Sequence, residues 1–185
     1  MKNRMWLGVL IVIGFALSGC ADKRLIRDAA DDPATHGLVF GYVDMSDAPT
    51  DLQWFYIRQV VPKTDKPFFG TAVDDGMFWN SFGPGAYQMD SFGGVNSWRR
   101  ASFNFELPQQ YAEGYRFKMD GRPGIHFLGS YKYKEVETGF FERGKFDFVP
   151  LKSPTERELL ERLLKFTDSK TWELRIKKRI AELSK

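Results

Sequence analysis

Cysteine is almost missing from this chain: Cys20 stands alone among 185 residues. A single thiol closes no intramolecular disulfide and gives a metal at most one ligand. Histidine is nearly as scarce, with only His36 and His126, so a zinc site built on histidine and cysteine falls short of the ligands it needs. Neither sign of charge dominates. Lys and Arg number 27 against 24 Asp and Glu, a formal charge of +3, and that balance does not mark a nucleic-acid binder. Repeats and low-complexity segments are absent too. The apolar run from Trp6 to Leu17 has 12 residues, against the roughly 20 that a membrane-spanning helix needs.

Lys2 and Arg4 precede that run, and Leu17-Ser18-Gly19-Cys20 ends it. The order positive, apolar, small is that of an export signal, and the tetrad resembles the lipobox of bacterial lipoproteins. The resemblance implies cleavage before Cys20, a diacylglycerol thioether on its sulfur and usually an acyl group such as palmitate on its new amine. The chemistry suits the residues: Ser18 and Gly19 are small enough for a peptidase's pockets, and the thiol is the nucleophile to be alkylated. Each buried methylene adds about 0.8 kcal/mol of membrane affinity, so two or three chains hold where one would not. The alternative is an ordinary secretory signal with an incidental cysteine. By the sorting rule of enteric lipoproteins, Ala21 after the cysteine implies the outer membrane; the periplasmic face is the expectation, with the cell surface left open. Asp22 one place later leaves the inner membrane open.

Removal of residues 1–19 leaves 166 residues and a formal charge of +1. That length builds one domain with a real core. With Cys20 lipidated, no thiol remains for a disulfide, a nucleophile or a metal, and packing alone must hold the fold. Residues 20–36 are polar, with Lys23, Arg24, Arg27, Asp28, Asp31, Asp32 and Pro33, and read as a lipidated tether. Lys23, Arg24 and Arg27 are placed to touch anionic headgroups or simply to be solvated.

From Leu38 the hydrophobic period becomes two. Strands are expected at Leu38–Val43, Leu52–Val61, Phe68–Val73, Met77–Phe82 and Ala86–Phe92, then around Phe103, Phe105 and Leu107 and around Tyr115, Phe117 and Met119. Two more follow at Gly124–Tyr133, with Ile125, Phe127, Tyr131 and Tyr133 on one face, and at Phe140–Val149. Gly93 to Arg100 reads as a loop. Eight or nine short strands with turn signals about every 8–12 residues argue for a β-sandwich over residues 37–150. Residues 151–185 change character. Ser153 as N-cap, Pro154 and Glu156 suggest a capping box, ahead of a Leu159, Leu160, Leu163, Leu164 stripe. Asp168 or Ser169 caps a second helix carrying Trp172, Ile176, Ile180 and Leu183.

Gly41-Tyr-Val-Asp44, Asp75-Gly76-Met-Phe78 and Phe82-Gly-Pro84-Gly85-Ala-Tyr87-Gln-Met89 together resemble transthyretin-like, carboxypeptidase-regulatory-like sandwich modules. In those a strand follows an Asp-Gly turn, and a Pro-Gly-x-Tyr turn feeds the next strand. The local physics is that Pro84 fixes φ and Gly85 supplies a positive φ, after which Tyr87 enters the sandwich with its hydroxyl at a polar edge. Phe82-Gly83 stands where Leu-Pro is usual. With the lipobox, Phe127-Leu-Gly-Ser-Tyr and a C-terminal helix bearing Trp172, the whole resembles uncharacterised bacterial lipoproteins, a likeness that brings no activity with it.

Chemistry-bearing groups are few. His126 would be the base of any Ser-His-Asp arrangement, but its neighbours Ile125 and Phe127 make it a structural histidine, on the surface or hydrogen-bonded. Asp44, Asp47 and Asp51 share one loop, and Asp74 and Asp75 another, without the spacing of a calcium loop; turn formation explains them. Glu135, Glu137 and Glu142 form no glycosidase pair that spacing reveals. Aromatic residues make up 16% of the chain. Trp54, Trp79, Trp98 and Trp172 are the candidates for contact with a ligand or partner, against core packing for each. The expectation is a lipid-anchored, non-enzymatic envelope module, structural or interacting, without cofactor or metal. Its alternatives are a glycan- or peptide-binding lipoprotein and an assembly lipoprotein of a secretion apparatus.

Overall fold

The computed structural model describes residues 25–27, 32–107, 114–120, 124–137 and 145–185. The apolar run at residues 6–17, Cys20 and the turn expected at residues 121–123 lie outside the described residues, as do Phe140 and the other residues before Lys145 in the last expected strand. The chain is mainly β, with two sheets followed by two helices. One sheet has the order β10 (Lys145–Leu151), β9 (Ile125–Val136), β1 (Gly37–Asp44), β5 (Met77–Phe82), β4 (Ala72–Asp74). The other runs β3 (Phe68–Gly70), β2 (Trp54–Val61), β6 (Gly85–Asn96), β7 (Ala101–Glu106), with β8 (Arg116–Met119) also paired to β6. Strand neighbours are antiparallel except β1 and β9, which are parallel.

The first sheet is covered on both faces, which explains the near-continuous apolar reading of its central strands. In β1, Val39 and Val43 point into the core between the sheets, while Leu38 and Phe40 pack under the helices. β5 does the same with Phe78 and Phe82 on one side and Met77 and Trp79 on the other. Helix α1 (Glu156–Leu163) buries Leu159, Leu160 and Leu163, and α2 (Lys170–Glu182) buries Trp172 and Ile176. Between them, a 3-10 turn at Leu164–Phe166 lays Phe166 on Trp79 with ring centroids 4.7 Å apart. The result is three layers: sheet, sheet, helices. Among the described residues no helix is long and apolar enough to cross a membrane.

Several local expectations change. The expected strand Phe68–Val73 is two strands in different sheets, hinged at Thr71, whose N–H and Oγ1 both donate to the Phe55 carbonyl. β6 continues to Asn96, so the expected loop at Gly93–Arg100 shrinks to its last four residues. In β9 the register with β1 skips between Phe127 and Ser130, and Gly129 has φ +112°. This bulge reverses the alternation. Ile125 and Phe127 therefore pack under the helices, while Tyr131 and Tyr133 face the other sheet.

The α1 cap is also displaced. Thr155 is the N-cap and forms a reciprocal box with Glu158, whose carboxylate accepts the Thr155 N–H at 2.6 Å and is held below the usual carboxylate range by that bond. Ser153 and Pro154 precede the cap instead of forming it. Ser169 caps α2 as expected.

The polar stretch expected to be a tether, residues 20–36, contributes to the core. Ile26 is 2% exposed, inside the core under the helices. It forms a parallel bridge with Thr167: its N–H donates to the Phe166 carbonyl at 2.8 Å and its own carbonyl accepts the Asp168 N–H at 2.9 Å. Residues 25–27 thus belong to the fold.

Candidate functional site

One end of the sandwich gathers three chain turns. The β4–β5 hairpin closes through Asp75 and Gly76, with φ of +46° and +76°, the paired positive values of a two-residue hairpin loop. The Tyr42 ring sits where a side chain at Gly76 would have to go: a Cβ there would lie 2.6 Å from it. The loop from Met45 to Gln53 crosses from β1 to β2 and is clamped to β6, where Gln53 N–H and Nε2 donate to the carbonyls of Gly93 and Val95. The turn after β6 carries Trp98.

Together these walls enclose an open cleft of about 800 Å³, lined by Tyr42, Asp44, Thr50, Gln53, Asp75 and Trp98 among others. Trp98 is 98% exposed. Its turn is not left loose: the Asn96 Oδ1 accepts the Arg99 N–H at 3.1 Å while the Asn96 Nδ2 donates to the Pro49 carbonyl. One amide side chain therefore ties the tryptophan turn to the opposite wall. Burial, then the nearby Asp44 and Asp75, push the Tyr42 phenol above its ordinary value, so it remains a neutral hydroxyl at physiological pH.

The acids of this end serve the turns. Asp44 Oδ1 accepts the Ser46 N–H at 2.8 Å, Asp47 pairs with Lys132 at 3.0 Å, and Asp75 with Arg162 at 3.5 Å. Among the described residues no three His, Cys, Asp or Glu side chains converge as metal ligands. The cleft can offer a flat indole face, a phenol and backbone or amide groups, in a setting weighted toward negative charge. That suits a neutral or cationic polar ligand better than an anion.

The four tryptophans have different fates. Trp79 and Trp172 are 1% and 0% exposed and belong to the core under the helices; neither has surface left for a ligand or partner. Trp54 is half-buried on the uncovered face of the second sheet, where its Nε1 donates to Asn104 at 3.3 Å, and it is not part of the cleft. Only Trp98 stands at the site. His126 is elsewhere, opposite Val39 in the β1–β9 register. It is half-buried, and its Nε2 has no hydrogen-bond partner among the described residues, unlike the exposed or bonded histidine its sequence context suggests. Cys20 lies outside the described residues.

Sequence reasoning passed over Asn96 and Tyr42. A polar residue ending a strand was the available signal for Asn96; the convergence of loops 40 residues apart was not available at all.

The Pro84 turn also differs from expectation. Gly85 opens β6 without a positive φ; it is small because a Cβ there would lie 2.7 Å from the Val61 carbonyl oxygen. Tyr87 does enter the inter-sheet core, and its hydroxyl donates to the Gly83 carbonyl at 3.0 Å. No protein-family model, no curated protein and no solved structure matches this chain.

Proposed function

We propose that this protein is a lipid-anchored, non-enzymatic interaction module of the cell envelope, of transthyretin-like kind. On this reading it is held to the periplasmic face of the outer membrane through Cys20 and takes a neutral glycan or similar polar chain into its loop-end cleft. The observation that carries the binding role is Trp98, a wholly exposed indole on a turn that Asn96 fixes in place. Leaving an indole in water forgoes its burial, while a pre-positioned aromatic face stacks on sugar rings at small entropic cost. The anchor rests on the lipobox-like tetrad; the kinship rests on the Asp75-Gly76 turn and on Tyr87, whose hydroxyl closes back on Gly83 as in a tyrosine corner.

Titration with chitooligosaccharides, followed by tryptophan emission, tests the binding role. An exposed indole emits to the red, so binding is expected as a blue shift that Trp98→Ala abolishes. A flat titration, or an unchanged response in that variant, would sink it. Peptidoglycan fragments bearing carboxylates should bind more weakly. Globomycin treatment that left precursor processing unchanged would remove the anchor.

A further inference from the structure

Resting on the anchored reading above, we infer that the outer face of α2 lies against an anionic phospholipid surface, so that the domain sits flush on its bilayer. Two independent observations lead there. The first is the length of chain between the anchor and the fold. Ile26 is locked into the helical layer, so the length of chain from Cys20 to Leu25 limits how far the fold can stand from the anchor. Five residue steps span at most about 18 Å even when fully extended. Residues 27–36 add nothing to that reach. The chain enters the fold beside Thr167 and Asp168, immediately before the α2 cap at Ser169. Helix α2 therefore starts where the tether ends.

The second is charge. Lys170–Glu182 holds Lys170, Arg175, Lys177, Lys178 and Arg179 against Glu173 and Glu182. Its net +3 exceeds the +1 of the whole chain after residue 19, leaving the rest of that chain negative. The cations are divided by face. Arg175 and Arg179 turn inward: Arg175 lies over Trp172 and donates to the Pro33 carbonyl, and Arg179 grips Glu156 at 2.8 Å and Glu182 at 3.5 Å. Lys170, Lys177 and Lys178 are exposed on the outer face around Leu174, which is itself 69% exposed. Lys165 stands exposed on the preceding turn, and Lys23 and Arg24 lie in the tether sequence. Glu173 neutralises part of this through its pair with Lys177, and Asp168 through Arg27.

A bare leucine ringed by lysines is what a helix lying in a headgroup layer presents. Each cation brought to an anionic surface strengthens binding about fivefold, and salt weakens it. Short reach makes the contact local, so modest attraction suffices.

The experiment is lysine acetylation footprinting of the purified full chain, reconstituted into vesicles of phosphatidylcholine with or without phosphatidylglycerol and digested for mass spectrometry. Lys63 and Lys66, exposed in the β2–β3 connection, serve as internal references. Lys170, Lys177 and Lys178 should react several-fold more slowly in the phosphatidylglycerol vesicles, and high salt should restore them, while Lys63 and Lys66 stay constant. Equal reactivity of the α2 lysines in both vesicle types overturns the inference. The mass of the Cys20 peptide in the same digest reports the acyl chains separately. Loss of the anchor reading is thereby distinguished from loss of the membrane face.

Discussion

The rings of Phe55 and Phe78 lie face to face across the two sheets, with centroids 3.8 Å apart and planes 3° from parallel. Both are fully buried, and Phe92 stacks beyond Phe55 at 6.1 Å. The pair joins β2 to β5, and so couples the sheet that carries the helices to the sheet that faces solvent. With a single cysteine in the chain, no intramolecular disulfide reinforces this contact between the sheets.

Phe78→Ala should destabilise the protein by about 3–5 kcal/mol, the usual result of emptying an aromatic site in a packed core. Urea unfolding monitored by circular dichroism measures it. Phe78→Leu should lose less, because it refills part of the volume. Equal losses for the two would mean that volume is not what the stack supplies.

Gly129→Ala should cost about 1–3 kcal/mol. The residue holds φ +112°, and a Cβ there would lie 2.9 Å from the Tyr131 ring. The same melt, compared with Gly114→Ala, where a Cβ meets nothing, isolates the effect. An unchanged midpoint for Gly129→Ala would show that β9 repairs its register without the bulge.

His126 gives stability a pH dependence of known sign. Burial pushes its imidazole below the ordinary 6.5, with Asp120 opposing in part. The unfolded chain therefore takes up a proton before the folded one does. The His126 contribution is level above about pH 6.5, falls as the pH drops from there toward the folded value, and levels again below it. Thermal melts through that window should show the midpoint falling on acidification, with a shallower fall in His126→Gln. Identical slopes for the two proteins would assign the acid sensitivity to other groups.

Where chemistry is local, the sequence was informative. Asp75-Gly76 forms its hairpin because those two residues tolerate positive φ, and Tyr87 bonds four residues back to Gly83; both are visible in a window of a few residues. The two-sheet, two-helix plan followed from period and punctuation. The cap of α1 was harder, since Ser153 and Thr155 both head an acidic residue three places on, and the structure uses Thr155. The faces of β9 were misread because a strict period of two cannot accommodate a bulge, although an isolated glycine in a strand is its signal. Ile26 was hidden for a different reason: one isoleucine in a polar run carries no period, and its partner Thr167 is 141 positions away. Trp98 was legible as a candidate. That Trp79 and Trp172 are core, and that Asn96 positions Trp98, depends on strand order.

The switch at Thr71 governs how the molecule's borders meet other chains. By dividing one segment between the two sheets, it leaves β3 and β4 as outermost strands on that side, each only three residues long. A passing extended peptide finds too few consecutive donors and acceptors there to add itself as another strand. On the opposite side of the first sheet, β10 is longer but carries Lys145 and Pro150, a charge and a missing donor at the border. These borders discourage strand-to-strand polymerisation with a second copy of the chain.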